Sequence, residues 1–197
     1  MPHPSPDTPI ETRWEGRFIC VKQQGTWEYV SRARGMHAAV ILAIDEAADG
    51  RHVLLVEQYR VPLNLRCLEL PAGLVGDDAE GEAATQAAER ELEEETGYRA
   101  ADWRIAGEFY SSPGMVSESF TLLVAKELTR IGDGGGVDSE DITVHRVPLD
   151  RIEDFLISQE QFRPETGKTL HDFLKRPMTW SRGARAPVTE DAAFEDG

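Results

Sequence analysis

The chain is poor in cysteine, in basic residues and in long apolar runs. Its two cysteines, Cys20 and Cys67, lie in strand-like segments and lack CxxC spacing. That argues against a disulfide framework or a thiolate metal centre and leaves two buried or half-buried thiols. Only 21 Lys and Arg stand against 36 Asp and Glu, a formal net charge of −15. Nucleic-acid binders gather an excess of Lys and Arg to displace counterions, so nucleic acid is not expected as a partner. The longest apolar run, His37 to Ile44, falls far short of the roughly 20 residues that span a bilayer, so no membrane association is expected. Met1-Pro2-His3-Pro4-Ser5-Pro6 has neither the basic nor the apolar region of a secretory signal, and a cytoplasmic location follows as the expectation. The five histidines are scattered without metal-cluster spacing, so His37, His52 and His145 read as strand residues.

What is present is the composition of an ordinary folded protein, 40% hydrophobic and 29% charged over 197 residues, enough for one globular domain with a small appended element. Residues 1–9 are Pro-rich and residues 181–197 acidic and poor in apolar groups; both read as flexible tails. Residues 10–35 read as an N-terminal β element. Within it, Arg17 to Arg32 has the pattern of a hairpin with a Gln24-Gly25 turn. Strands are expected over His37–Ile44, His52–Gln58 and Arg66–Leu70, the last stopped by Pro71-Ala72-Gly73. A helix from about Glu80 to Thr96, entered through Asp77-Asp78 and closed by Gly97, is the clearest element. Further strands are expected over Trp103–Tyr110, Ser119–Ala125 and Ile142–Val147, and further helices over Asp150–Ser158 and Thr166–Lys175. Strands mixed with a few helices imply an α/β fold, a mixed sheet covered by helices on its faces over residues 36–180.

The central helix concentrates charge. Glu89, Glu91, Glu93, Glu94 and Glu95 crowd into seven residues, with Arg90 the local cation. At 100° per residue, Glu94 and Glu95 fall about 60° and 40° either side of Glu91, so the three carboxylates share a face. Two readings of that face stand level on physical grounds alone, a solvated acidic surface or a cation site. Ala84, Ala88 and Leu92 form an i, i+4, i+8 ridge suited to close packing on the sheet.

The spacing Gly76, five residues, Glu82, seven residues, then Arg90-Glu91-Leu92-Glu93-Glu94-Glu95-Thr96-Gly97-Tyr98 satisfies every fixed position of the Nudix box, G-x5-E-x7-R-E-U-x-E-E-x-G-U with U apolar. Its seven fixed identities match a given start by chance with a probability on the order of 10⁻⁹ to 10⁻⁸. On that motif the chain resembles the Nudix hydrolases. The resemblance implies an α/β/α sandwich with a mixed sheet over residues 36–180, with Glu91 and Glu95 as principal metal ligands. Glu94 and the Ala72 carbonyl would add further ligands, and Arg90 would hold a neighbouring glutamate in place. A set of hard oxygen donors suits Mg²⁺, or Mn²⁺, rather than zinc.

Outside the box, Glu57-Gln58-Tyr59-Arg60-Val61-Pro62, Leu68-Glu69-Leu70-Pro71-Ala72-Gly73-Leu74, Tyr110-Ser111-Ser112-Pro113-Gly114 and Gly25-Thr26-Trp27-Glu28-Tyr29-Val30-Ser31-Arg32 resemble the ADP-ribose pyrophosphatase branch. That likeness implies substrate contacts from Trp27, which would stack on adenine, and from Arg32 and Arg60, with Glu69, Leu74, Pro113 and Gly114 also at the substrate. Trp14 is a second candidate stacking face. The bland alternatives are strand packing for Trp27 and a surface salt bridge for Arg60. Catalytic roles are implied for Glu94, Arg90 and a general base on a mobile loop. Gly132 to Val137 is the candidate loop and Glu140 the candidate base, with Asp141 and Glu118 as competitors. The branch further implies a homodimer sharing its N-terminal β elements. The resulting expectation is hydrolysis of the pyrophosphate bond of ADP-ribose or a related ADP-sugar to AMP and sugar phosphate. The alternatives are another nucleotide sugar such as GDP-mannose, or a nucleotide-binding sensor without catalysis.

Overall fold

Alternation of apolar side chains along two long strands builds the centre of the molecule. In this computed structural model, which describes residues 4–33, 37–76, 82–137 and 140–159, these are β4 (His37–Ala47) and β5 (Gly50–Arg60). Ala39, Ile41, Ala43 and Leu54 join one buried cluster, while Leu42, Ile44, Val53 and Leu55 join a second. A two-residue period therefore gives the sheet two apolar faces, and each needs its own cover. Helix α1 (Ala84–Glu91) covers the first, with Ala87, Ala88 and Leu92 fully buried against Leu123 and Ala125. Helix α2 (Ile152–Ser158) covers the second through Ile152 and Phe155. The result is an α/β/α sandwich.

The seven-stranded sheet runs β10-β5-β4-β9-β8, where β8 is Tyr98–Tyr110, β9 is Ser119–Arg130 and β10 is Thr143–Pro148. Only β4 and β9 pair in parallel, Ala38 opposite Phe120 through Ala43 opposite Ala125; the other strands pair antiparallel. β4 and β5 are joined from Ile44 to Val53 and diverge beyond it. There β6 (Leu65–Glu69) pairs with β5, and β7 (Ala72–Val75) pairs with β4. Proline at 71 has no N–H to give a ladder, and its carbonyl accepts from Ile41 N at 2.9 Å as the chain crosses from β6 to β7. The expected stop at Pro71-Ala72-Gly73 is thus a change of strand partner, and Ala72-Gly73 begin a strand.

Three further strands, β1 (Ile10–Glu15), β2 (Ile19–Gln24) and β3 (Trp27–Arg32), form their own antiparallel sheet. The expected hairpin is β2–β3, with Gly25 in the left-handed region at φ 61°. β3 also meets the loop after β8, where Val30 bridges Val116 in parallel and Ser117 N donates to the Val30 carbonyl. The hydroxyls of Ser31 and Ser117 share a hydrogen bond of 2.6 Å.

The central helix departs from expectation at both ends. Residues 77–81 lie outside the described residues, and the helix begins at Ala84, where the Gln86 side chain accepts from Ala83 N at 3.1 Å. Its last turn, Leu92–Thr96, widens to a π-helix and is closed by Gly97 at φ 73°. The helix expected over Thr166–Lys175 and the acidic tail also lie outside the described residues. Both cysteines are free thiols, Cys20 buried and Cys67 half-buried. Among the described residues no helix is long and apolar enough to cross a membrane.

Candidate active site

The π turn faces the start of β7, and the sequence explains why they fit. A widened turn swings successive carboxylates to different depths, a distortion that often marks functional sites. Glu95 is turned inward, 4% exposed, and accepts from the Ala72 backbone N–H at 3.0 Å. Glu91 packs directly on Gly73, where a Cβ atom would collide with its carboxyl oxygen. Arg90 lies among the glutamates, donating to Glu91 at 2.9 Å and Glu94 at 3.2 Å, with Glu82 at 3.8 Å. Glu82 in turn accepts from Gly76 N at 3.0 Å, so the first two fixed residues of the motif tie the loop to the helix entrance. Glu93 points away and pairs with Arg99 on β8, which holds its carboxyl below the usual range. Arg99 is a second local cation that the sequence reading missed.

Burial pushes the Glu95 carboxyl up to about 8, reinforced by the nearby charges of Glu91 and Glu140 and opposed by the Ala72 N–H and Arg60. Burial also raises Glu91, with Glu94 and Glu140 adding repulsion and Arg90 opposing it. Among the described residues no three His, Cys, Asp or Glu side chains already converge as a chelating set. Glu91 and Glu94 are held by Arg90 and Glu95 by Ala72 N, so chelation requires these side chains to turn. The chemistry nevertheless fits a hard divalent cation. The carboxylates of Glu91, Glu94, Glu95 and Glu140 lie near enough to act on one another, two of them are raised by burial and repulsion, and Gly73 leaves the space that Glu91 occupies.

The candidate glycine loop is bonded to this turn through its backbone. Gly135 N donates to the Glu95 carbonyl at 2.9 Å and Gly136 N to the Glu94 carbonyl at 3.0 Å; Ile131 N and Gly132 N donate to the Gly97 carbonyl. These bonds satisfy carbonyls that a helix end leaves without partners. The approach is backbone to backbone, since a Cβ on Gly134, at φ 69°, would collide with the Thr96 carbonyl carbon. Beyond it, Glu140 folds back so that its carboxylate accepts from Val137 N at 3.1 Å, near enough to Glu91 and Glu95 to raise both. The two competing acids are engaged elsewhere. Asp141 pairs with Arg66 at 2.8 Å, and Glu118 pairs with Arg32 at 2.6 Å.

The expected substrate residues divide into two groups. Arg60 and Glu69 face each other in a two-pronged pair, 2.8 and 2.7 Å, on the β5–β6 side of the acidic turn. The surface-pair alternative for Arg60 therefore describes its present state, though the guanidinium still acts on Glu95. Leu74 lies half-buried in β7, opposite Ala38. Arg32, Trp27 and the Pro113-Gly114 loop belong to the other side, where β3 meets residues 111–118. Trp27 sits at the turn end of the hairpin and is 43% exposed; Trp14 is 55% exposed on β1. A cleft of about 760 Å³ opens between the N-terminal sheet and the main one, lined in part by Lys22, Ser31, Arg32, His37 and Glu118. None of Glu91, Glu94, Glu95 or Glu140 lines it. The chemistry is therefore assigned from the carboxylates and not from the cleft. The sequence reading passed over Gly73 as a cradle for Glu91, although a glycine beside a predicted acidic helix was the available signal.

Residues 35–173 match the NUDIX domain family. The chain belongs to the Nudix family. Over 134 residues this Nudix chain is 32% identical to the ADP-ribose pyrophosphatase of Bacillus subtilis, a stretch covering 68% of this chain and 69% of that one. It is 37% identical over 124 residues to the GDP-mannose pyrophosphatase of Cronobacter sakazakii, covering 59% and 61% respectively. The chain spans about half the length of two other curated relatives it matches, 53% of each. A crystal structure of an ADP compounds hydrolase superposes with a TM-score of 0.58 at 23% identity, covering 85% of this chain and 90% of that one. That likeness is one of fold.

Proposed function

We propose that this Nudix protein is a divalent-metal-dependent diphosphatase that hydrolyses ADP-ribose or a related ADP-sugar to AMP and a sugar phosphate. The observation that carries the reading is the acidic π turn packed on Ala72-Gly73, with a further glutamate, Glu140, brought against it by a glycine loop. Glu91, Glu95, Glu94 and the Ala72 carbonyl would hold Mg²⁺ or Mn²⁺. When bound, the cation neutralises charge developing on the diphosphate and lowers the pKa of the attacking water.

The chain's own groups supply the remainder. Glu140 accepts the proton as water attacks one phosphorus and the other phosphate departs. Arg90 is a positioning residue that orients Glu91 and Glu94. Arg60, released from Glu69, offers a planar fork to phosphate, while Trp27 offers a flat face to the base. Arg32, Glu69, Leu74, Pro113 and Gly114 would make the remaining contacts to the substrate. With a net charge of −15, the protein repels a diphosphate at long range, so the cation and these arginines must reverse the field locally. We further propose a homodimer formed through the N-terminal sheet, whose Ile10, Trp14, Phe18 and Ile19 are exposed. Two free thiols fit a reducing, cytoplasmic setting. The identity shared with a GDP-mannose pyrophosphatase favours a second reading, in which the same chemistry acts on GDP-mannose.

The test is hydrolysis of ADP-ribose, GDP-mannose, NADH, diadenosine polyphosphates and coenzyme A, each with Mg²⁺ and with EDTA. ADP-ribose is expected to lead, EDTA to abolish turnover, and Glu95→Gln to remove turnover while nucleotide binding persists. Preference for GDP-mannose would move the reading to the second substrate, and no turnover of any compound would leave a nucleotide-binding sensor. Light scattering after gel filtration checks the dimer.

A further inference from the structure

Glu140 is held from two sides. On one, the glycine strap fixes Gly135 and Gly136 to the Glu95 and Glu94 carbonyls, and the Glu140 side chain covers Gly136, where a Cβ would meet its carboxylate at 2.5 Å. On the other, the next residue, Asp141, is gripped by Arg66 of β6. Arg66 donates through one terminal nitrogen to the Asp141 carboxylate at 2.8 Å and through the other to the Asp141 carbonyl at 3.2 Å. The second nitrogen also reaches Thr143 Oγ1 at 3.2 Å and the Glu57 carbonyl at 3.0 Å, while Nε donates to the Glu57 carboxylate at 3.0 Å. The other Glu57 oxygen lies 3.0 Å from His145 Nε2. One guanidinium therefore joins β6, β5 and β10 to the end of the loop. A planar fork with five donors suits this task, which a lysine's single ammonium does not reproduce.

We infer that Arg66 is a positioning residue, fixing the backbone at Asp141 so that Glu140 is presented to the acidic turn. The inference rests on the reading of Glu140 as the base of the proposed hydrolysis. A base must lie within hydrogen-bond reach of the proton it takes, and a displacement near 1 Å costs on the order of 100-fold in rate. Glu57 and His145 complete the clamp from the sheet side, whereas Asp141, exposed and held by Arg66, transmits it to the loop.

The test is a double-mutant cycle on the full chain, following ADP-ribose hydrolysis with Mg²⁺, or GDP-mannose hydrolysis should that be the preferred substrate. Arg66→Ala and Asp141→Ala are each expected to lower kcat by about 10- to 100-fold with KM within about twofold, the signature of an interaction used in the transition state. Arg66→Lys should fall between them and the parent. In a Glu140→Gln background, Arg66→Ala should cost less than about twofold, because its partner in the effect is already gone. Asp141→Ala guards against misfolding, since this exposed side chain lies at the surface. An equal loss of kcat in both backgrounds, or a raised KM with kcat intact, overturns the inference and leaves Glu140 as the base. Full activity of Glu140→Gln overturns the reading of the base itself, and the inference with it.

Discussion

Burial of Glu95 links the site to the stability of the whole fold. The unfolded chain releases this proton near 4.5, its ordinary value, and the folded chain near 8. Between those values the native state holds more protons than the unfolded state, so the metal-free protein loses stability as pH rises through that window. Below 4.5 the contribution is intact. Glu95→Gln keeps an acceptor for Ala72 N and removes the titration. In EDTA it is expected to raise the melting temperature at pH 8 by several degrees and to leave it nearly unchanged at pH 4.5. Thermal melts at the two pH values check this, and a lower melting temperature for the variant at pH 8 would contradict it. Mg²⁺ or Mn²⁺ should stabilise the parent more at pH 8 than at pH 5, since binding must displace the proton. The glutamates themselves were legible because motif spacing is local. Arg90 was legible beside Glu91 for the same reason, but pairings between elements were not: Arg99 reaches Glu93 from β8, and Glu69 reaches Arg60 across two paired strands. Those pairings depend on strand register, which the local sequence leaves open.

At the scale of elements, two glycines carry the site and act differently. Gly73 lacks a positive φ, so its requirement is space for Glu91. Gly73→Ala is expected to displace that carboxylate, weakening metal-dependent turnover by about tenfold or more with little change in far-UV circular dichroism. Gly134 has both a left-handed backbone and a close approach to the Thr96 backbone. Gly134→Ala must lift the loop from the π turn and should lower the melting temperature as well as turnover. Melts and steady-state rates on the two variants separate the cases. Periodicity identified the strands because β4 and β5 alternate cleanly between two cores. It gave the wrong character to the last helical turn, since a π turn and an α turn share the same apolar ridge at Ala84, Ala88 and Leu92. The glycine loop was legible as backbone freedom, whereas the carbonyls at 94, 95 and 97 that accept from it were not, because they lie far away along the chain.

At the scale of the whole molecule, the described residues join the two sheets along a short seam. The N-terminal strands dock by the Val30–Val116 bridge, the Ser31–Ser117 hydroxyl pair and the Arg32–Glu118 ion pair, all between β3 and the loop after β8. The −15 charge was legible as a reason to expect local field reversal at the site, whereas this seam was not, because nothing near residue 30 signals a partner near residue 116. Breaking the ion pair and the hydroxyl pair together, with Arg32→Ala and Ser31→Ala, should loosen the N-terminal sheet without unfolding the main one. Hydrogen exchange is expected to quicken in residues 19–32 while β4 and β9 stay protected.

The same seam has a consequence during synthesis. β3 meets its docking surface only after a segment 86 residues further along the chain has been made. At about 5–20 residues per second, that is a delay of roughly 4–17 s. β4 waits for the same stretch, since its parallel partner begins at Ser119. Through that interval β3 lacks the residues that bond Val30, Ser31 and Arg32 in the folded chain. The hairpin of β8 and β9 supplies both missing partners at once, and β10 then closes the far edge of the main sheet against β5.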